Sequence, residues 1–87
     1  MMTINAKQRR TLVALFTKPT RSGIVFSDIE ALLRALGCEL HVGGGSRIGF
    51  TLRGQRIHLH RPHPGKEARR YQVEELRAFL ERLGIEP

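Results

Sequence analysis

Imidazoles and guanidiniums gather in one stretch of this chain. His58, His60 and His63 lie within six positions of one another, and the segment from Gly43 to His63 also carries Arg47, Arg53, Arg56 and Arg61 and no carboxylate. These residue types cleave RNA without a metal: a base for the 2′-hydroxyl, an acid for the leaving oxygen, and cations against the charge that builds on phosphorus. His58 and His60 are two apart, so on a strand both project to the same side, and they are the candidate catalytic pair. Arg47 and Arg56 are candidate phosphate contacts on that surface. Two other chemistries are weaker. His58-x-His60-x-x-His63 has a spacing with which imidazoles can bind zinc. The surrounding arginines repel a dication, however, and only Glu67 offers a carboxylate nearby, so no metal or other cofactor is expected. Ser46 has no acidic residue to orient a histidine beside it, which removes the triad logic of a serine nucleophile. The run Gly43-Gly44-Gly45 opens no helix, as a nucleotide-binding loop must.

The charge asymmetry extends beyond this stretch. Residues 41–72 hold seven Lys or Arg, all four histidines and a single acid, Glu67, in a chain of net charge +7. For any one arginine a solvated sheet face is an ordinary explanation. For the cluster it is not, because like charges opposed on paired strands destabilise a sheet. Arg47, Arg56, His58, His60 and His63 tolerate one another best around an anion, and phosphate is the natural candidate. The net charge points to a polyanion, RNA among them, or to an acidic protein as partner. Lys66, Arg69 and Arg70 precede the last helix and read as backbone-phosphate contacts that position a nucleic acid without reading it. Tyr71 reads as packing at the helix start, with stacking on a base as its alternative. His41 reads as structural or merely exposed.

The elements that must position these residues follow from periodicity and punctuation. Asn5–Thr17, with Leu12, Leu15 and Phe16 at helical spacing, predicts a first helix, and Lys18-Pro19-Thr20-Arg21-Ser22-Gly23 breaks the pattern after it. Ser27-Asp28-Ile29-Glu30 has the form of a capping box, so a second helix is expected to start at Ser27 or Asp28. Its apolar stripe is Ile29, Leu32, Leu33 and Leu36, and Gly37 stops it. Cys38–Val42 alternates as a half-buried strand, with Cys38, Leu40 and Val42 expected inward and Glu39 and His41 outward. Arg47–Leu52 and Gln55–His60 alternate in turn, with Ile48, Phe50, Leu52, Ile57 and Leu59 inward. Arg53-Gly54 is a two-residue turn between them. Such a turn fixes the register, setting Thr51 opposite Arg56, Gly49 opposite His58 and Arg47 opposite His60 on the outer face. Gly49 then leaves a shallow gap where a sugar-phosphate backbone can approach. Arg61–Glu67, with its two prolines, is a crossover loop. A last helix begins near Gln72, buries Val73, Leu76, Phe79, Leu80 and Leu83, and ends at Gly84. The order is helix, helix, three antiparallel strands, helix: an α+β fold with helices on one face of the sheet and the basic face open.

A chain of 87 residues makes one small domain with a single core. Cys38 is the only cysteine, so an internal disulfide is excluded; a core role for the thiol and a reducing cytosol are expected. The start of the chain lacks the apolar run of a signal peptide, and no stretch approaches the roughly 20 apolar residues of a membrane span. A soluble, cytoplasmic protein without a membrane partner is expected.

With the elements placed, residues from Ser27 to Ile85 resemble the HicA toxins of bacterial toxin-antitoxin pairs, small mRNA interferases with a fold like that of double-stranded-RNA-binding domains (dsRBD-like). The resemblance rests on the helix Asp28–Gly37, on Gly45-Ser46-Arg47 leading into a strand, on the loop His63-Pro64-Gly65-Lys66-Glu67, and on the closing helix with its end Leu83-Gly84-Ile85. It implies a metal-independent endoribonuclease acting on mRNA and neutralised by a HicB-type antitoxin that covers the active face. On this resemblance residues 1–26 are an N-terminal helical extension and residues 27–87 the HicA-like domain. One departure matters. Where the family usually has Gly-Ser-His with a catalytic histidine, this chain has Gly45-Ser46-Arg47, so that role does not carry over to position 47. The register offers His60, directly across from Arg47, as the imidazole nearest the same spot. The alternative is a non-catalytic RNA- or protein-binding module on the same fold.

Overall fold

The computed structural model describes residues 3–87; Met1 and Met2, the first residues of the 1–26 segment, lie outside the described residues. Helix α1 (Ala6–Phe16) starts at a reciprocal cap: Asn5 Oδ1 accepts from the Gln8 N–H at 2.8 Å, and Gln8 Oε1 accepts from the Asn5 N–H at 2.9 Å. Two otherwise free donors are thereby satisfied. The helix buries Leu12, Ala14 and Leu15 against α2 (Phe26–Ala35) and α3 (Arg70–Arg82). These side chains belong to the same apolar cluster as Phe50 and Phe79. The far end of α1 is held by Arg77 of α3. Arg77 donates from Nε to the Leu15 carbonyl at 2.8 Å and from a terminal guanidinium nitrogen to the Thr17 carbonyl at 3.3 Å and the Thr20 hydroxyl at 3.2 Å. A cation against the last carbonyls of a helix satisfies orphan acceptors and complements the helix dipole.

Helix α2 corrects one sequence expectation. Its N-cap is Val25, no side chain caps it, and the Ser27–Glu30 box does not form. Glu30 is engaged elsewhere: both of its carboxylate oxygens accept from Arg61, at 2.9 and 3.2 Å. A two-pronged guanidinium is a stronger partner than one backbone amide. The start of α2 is instead fixed by the chain itself, through an antiparallel bridge of Val25 with Glu67. The Phe26 N–H donates to the Lys66 carbonyl, and the Ala68 N–H to that of Ile24, both at 2.8 Å. Gly37, at φ 99°, stops the helix as expected. The Cys38 N–H reaches the Leu33 carbonyl and the Gly37 N–H that of Arg34, each at 3.0 Å, which is a Schellman motif. Gly84 ends α3 in the same way, with Ile85 bonded to Leu80 at 2.9 Å.

Strands β1 (Glu39–Val42), β2 (Arg47–Leu52) and β3 (Gln55–His60) form an antiparallel sheet in that order. Arg53 and Gly54 take φ of 48° and 80°, the combination of a type I′ turn, whose twist suits a hairpin. The register is the expected one: Arg47 faces His60, Gly49 faces His58 and Thr51 faces Arg56. Ile48, Phe50, Ile57 and Leu59 are buried toward the helices, Leu52 only partly. Val42, expected inward, is 64% exposed, because it ends an edge strand beyond the reach of the helix layer. Cys38 is buried, and burial pushes its thiol pKa up, with the charge of Arg53 opposing; it is an inert core group.

Helix α3 starts two residues before the expected Gln72 because Gln72 reaches back. Its Oε1 accepts from the Arg69 N–H at 3.0 Å and ties off the first turn. Tyr71, expected to pack at the helix start, is 53% exposed, while Gln72 beside it is buried. The fold is α+β, three helices and a three-stranded open sheet in the order α-α-β-β-β-α. Among the described residues no helix is long and apolar enough to cross a membrane.

Candidate active site

The hairpin places the candidate residues by alternation. The Arg61 N–H donates to the Ser46 carbonyl at 2.8 Å, so the Arg47–His60 pair next to it is of the non-hydrogen-bonded kind, in which Cα atoms approach to about 4.5 Å and side chains are closest. The Gly49–His58 and Thr51–Arg56 pairs follow the same alternation. Arg47, Arg56, His58 and His60 are all exposed on the outer face. Among the described residues, Arg47 and Arg56 have no carboxylate within ion-pair distance; on this face a basic side chain meets a carboxylate where His41 Nε2 lies 3.8 Å from Glu39.

His60 is the best-held side chain of the group. Ser46 Oγ lies 3.1 Å from its Nδ1, so the ring is oriented and Nε2 is the nitrogen left for other partners. The backbone beneath it is fixed as well: the buried Gln72 donates from Nε2 to the His60 carbonyl at 2.7 Å. The next residue, Arg61, is locked to Glu30, whose hydrogen bonds and charge hold the guanidinium above its ordinary pKa range. Arg61 therefore serves as a strut between the loop and α2 rather than as a free cation.

His58 sits differently. A Cβ added at Gly49 would come within 3.2 Å of His58 Nδ1, so the ring lies over the glycine. The gap expected at Gly49 for a sugar-phosphate backbone is thus taken by the imidazole itself. Arg47, His58 and His60, together with the backbone at Ile48 and Leu59, line a depression of about 330 Å³. Lys66 and Arg69 line a different one of about 330 Å³ with Pro62, Pro64, Gly65 and the acid Glu67. Arg56 stands at the turn end of the hairpin, and Arg70 is exposed at the start of α3. The sequence candidates therefore form a tight trio on the sheet and a separate basic group on the loop. His58, His60 and His63 do not converge, and among the described residues no three His, Cys, Asp or Glu side chains are placed to hold a metal ion.

Gln72 was not legible as a site residue, and neither was the pairing of Ser46 with His60. Strand alternation carried one residue past Arg47 assigns Ser46 to the inner face. The turn at Gly45, with φ 64°, releases it from that alternation. Gln72 looks like an ordinary helix-start polar residue until the end of β3 is brought against it.

These features define a small α+β domain whose helices cover one sheet face and whose other face presents an open row of arginine and histidine. The comparison with protein families is more specific. The model for the HicA toxin of bacterial toxin-antitoxin matches residues 26–85. The chain belongs to that family, and its role is that of the toxin in a toxin-antitoxin pair, with an antitoxin as its partner. Neither curated proteins nor solved structures return a match.

Proposed function

We propose that this toxin is an endoribonuclease that cleaves mRNA in the cytoplasm without a metal, with His60 as its principal acid-base group. The observation that carries the reading is the Arg47–His60 pair: an imidazole oriented by Ser46 and facing a guanidinium with no carboxylate partner, on an exposed surface. In the reaction, His60 takes the proton of a ribose 2′-hydroxyl as its oxygen attacks the adjacent phosphorus. The bond from phosphorus to the 5′-oxygen breaks, and that oxygen is protonated by the second imidazole, His58, two positions away on the strand. Arg47 stabilises the charge on the non-bridging oxygens. Arg56, Lys66, Arg69 and Arg70 hold flanking phosphates, which sets position rather than sequence. A HicB-type antitoxin silences the enzyme by covering the open sheet face. Residues 1–26 are an N-terminal extension of the family domain in 27–87.

One observation favours a second reading. Arg47 stands where the family usually has its histidine, and a chain inert for that reason is an RNA-binding module. Incubating the pure protein with RNA in EDTA separates the two. Cleavage that persists in EDTA and is lost in His60→Ala supports the nuclease, whereas binding without cleavage supports the module.

A further inference from the structure

The chain's excess charge is concentrated where the proposed chemistry does not use it. Residues 1–26 contain Lys7, Arg9, Arg10, Lys18 and Arg21 and neither Asp nor Glu, a net +5; residues 27–87 hold ten Lys or Arg against eight acids, a net +2. All five cations of the first segment are exposed. Among the described residues only Lys7 has an ion-pair partner, Asp28 at 3.4 Å. Three of the five cations are also gathered. Lys7, Arg10 and Thr11 lie on one side of α1 and form one wall of a depression of about 320 Å³, whose other wall is Arg21, Ser22 and the start of α2; its one acid, Asp28, is the carboxylate paired with Lys7. Helix α1 packs on α2 and α3, the layer under the inner face of the sheet, so this cleft is separate from the outer face that bears Arg47 and His60.

We propose that the cleft between α1 and α2 is a second RNA-backbone site, an anchor that grips phosphates away from the reacting one. The proposal rests on RNA being the substrate. Two guanidiniums without carboxylate partners, Arg10 and Arg21, provide forked donors matched to phosphate oxygens, and the exposed Ser22 hydroxyl adds a neutral donor. An acidic protein partner fits less well. Stable protein interfaces are centred on apolar or aromatic anchors, whereas of the apolar walls here Ala14 and Ile24 are already buried in the protein's own core and only Val25 is half-buried, with no aromatic among them. Phosphate backbone contacts need no such anchor. Two cationic sites on one flexible polyanion reinforce each other through effective concentration, so the anchor raises affinity without touching the chemistry.

The test is fluorescence anisotropy with a labelled single-stranded RNA across a salt series, in the His60→Ala background to prevent cleavage. Arg10→Glu with Arg21→Glu is compared with Arg47→Glu with Arg56→Glu, and circular dichroism melts establish that each variant is folded. Loss of the two cleft contacts is expected to weaken binding about tenfold or more and to flatten the slope of log K against log salt by about 1.4, at roughly 0.7 per phosphate on a single strand. Arg10→Lys with Arg21→Lys should keep the slope. In the otherwise unaltered chain the cleft change should raise KM and leave single-turnover cleavage at saturating RNA untouched. An unchanged Kd and slope would overturn the proposal. So would loss of poly-glutamate binding with RNA binding intact, which would assign the cleft to an acidic protein. Failure of the nuclease reading shows separately, as absence of cleavage by the unaltered protein, and leaves the binding result for the cleft standing.

Discussion

Ser46 Oγ and His60 Nδ1 are 3.1 Å apart, and this contact serves either direction of proton transfer. When Nδ1–H donates to the serine, Nε2 carries the lone pair and acts as a base; once Nε2 has taken the proton the ring is an imidazolium that still donates from Nδ1 to the serine and can give the Nε2 proton back as an acid. The serine oxygen accepts from Nδ1–H in both states, so the ring keeps its orientation through a catalytic cycle.

His60→Ala is therefore expected to lower kcat by about 10²- to 10⁴-fold, the range of a positioned acid-base group. Ser46→Ala removes only the orientation, and its expected loss is about 10- to 100-fold. KM should stay near the parent value. Steady-state cleavage of a fluorogenic RNA reads kcat and KM separately. A Ser46→Ala enzyme with the parent kcat would remove the serine from the mechanism.

The cross-strand pairing also predicts a rescue. Arg47 and His60 face each other in a close pair, so an imidazole introduced at 47 projects into the same depression. Arg47→His in the His60→Ala background should recover part of the lost cleavage. Arg47→His alone should bind RNA more weakly, with a shallower salt dependence, because a guanidinium that contacts phosphate has been removed. If the double variant is as inactive as His60→Ala while both remain folded, the two positions do not share a reaction centre.

The hairpin was legible in the sequence because its determinants are local. Arg53-Gly54 dictates a two-residue turn, the turn dictates register, and register dictates that Arg47 meets His60. The two helix stops at Gly37 and Gly84 were legible for the same reason. Long-range partners were not. Glu30 had a sound local role as half of a capping box, and Arg61, 31 residues later, outcompeted it. Val42 continues the alternation of β1, but nothing in four strand residues tells that the helix layer stops short of it. Gly49 marked a gap correctly as a missing side chain, but which neighbour fills it depends on how the His58 ring turns.

Gln72 links stability to the site. It is 1% exposed, accepts from the Arg69 N–H at 3.0 Å and donates to the His60 carbonyl at 2.7 Å. Gln72→Met keeps most of the volume and loses both bonds, leaving a donor and an acceptor unsatisfied at a cost of about 1–3 kcal/mol. For a domain of this size each kcal/mol lowers Tm by about 4–8 °C. Calorimetry reads the Tm, and cleavage measured well below it should still show a lowered kcat, because the end of β3 under His60 is no longer clamped. A variant with the expected Tm loss and full kcat would make Gln72 a stability residue alone.

Arg77 makes the corresponding link from another face of α3. Its guanidinium holds the Leu15 and Thr17 carbonyls and the Thr20 hydroxyl, and Thr20 in turn donates to Glu74 at 3.0 Å. One side chain thus fastens α1 and the segment after it to α3 without a carboxylate partner of its own. Arg77→Met retains the aliphatic packing and abandons the carbonyls, for an expected loss of about 1–3 kcal/mol. The loss should be local: α1 amides should exchange hydrogen faster by a larger factor than those of β2, because α1 opens before the domain does. Uniform acceleration through the whole chain would mean that α1 and the family domain unfold as one unit and that Arg77 fastens nothing separable. In the same variant, weaker RNA binding with unchanged single-turnover cleavage would follow, because a loosened α1 no longer aligns Arg10 with Arg21.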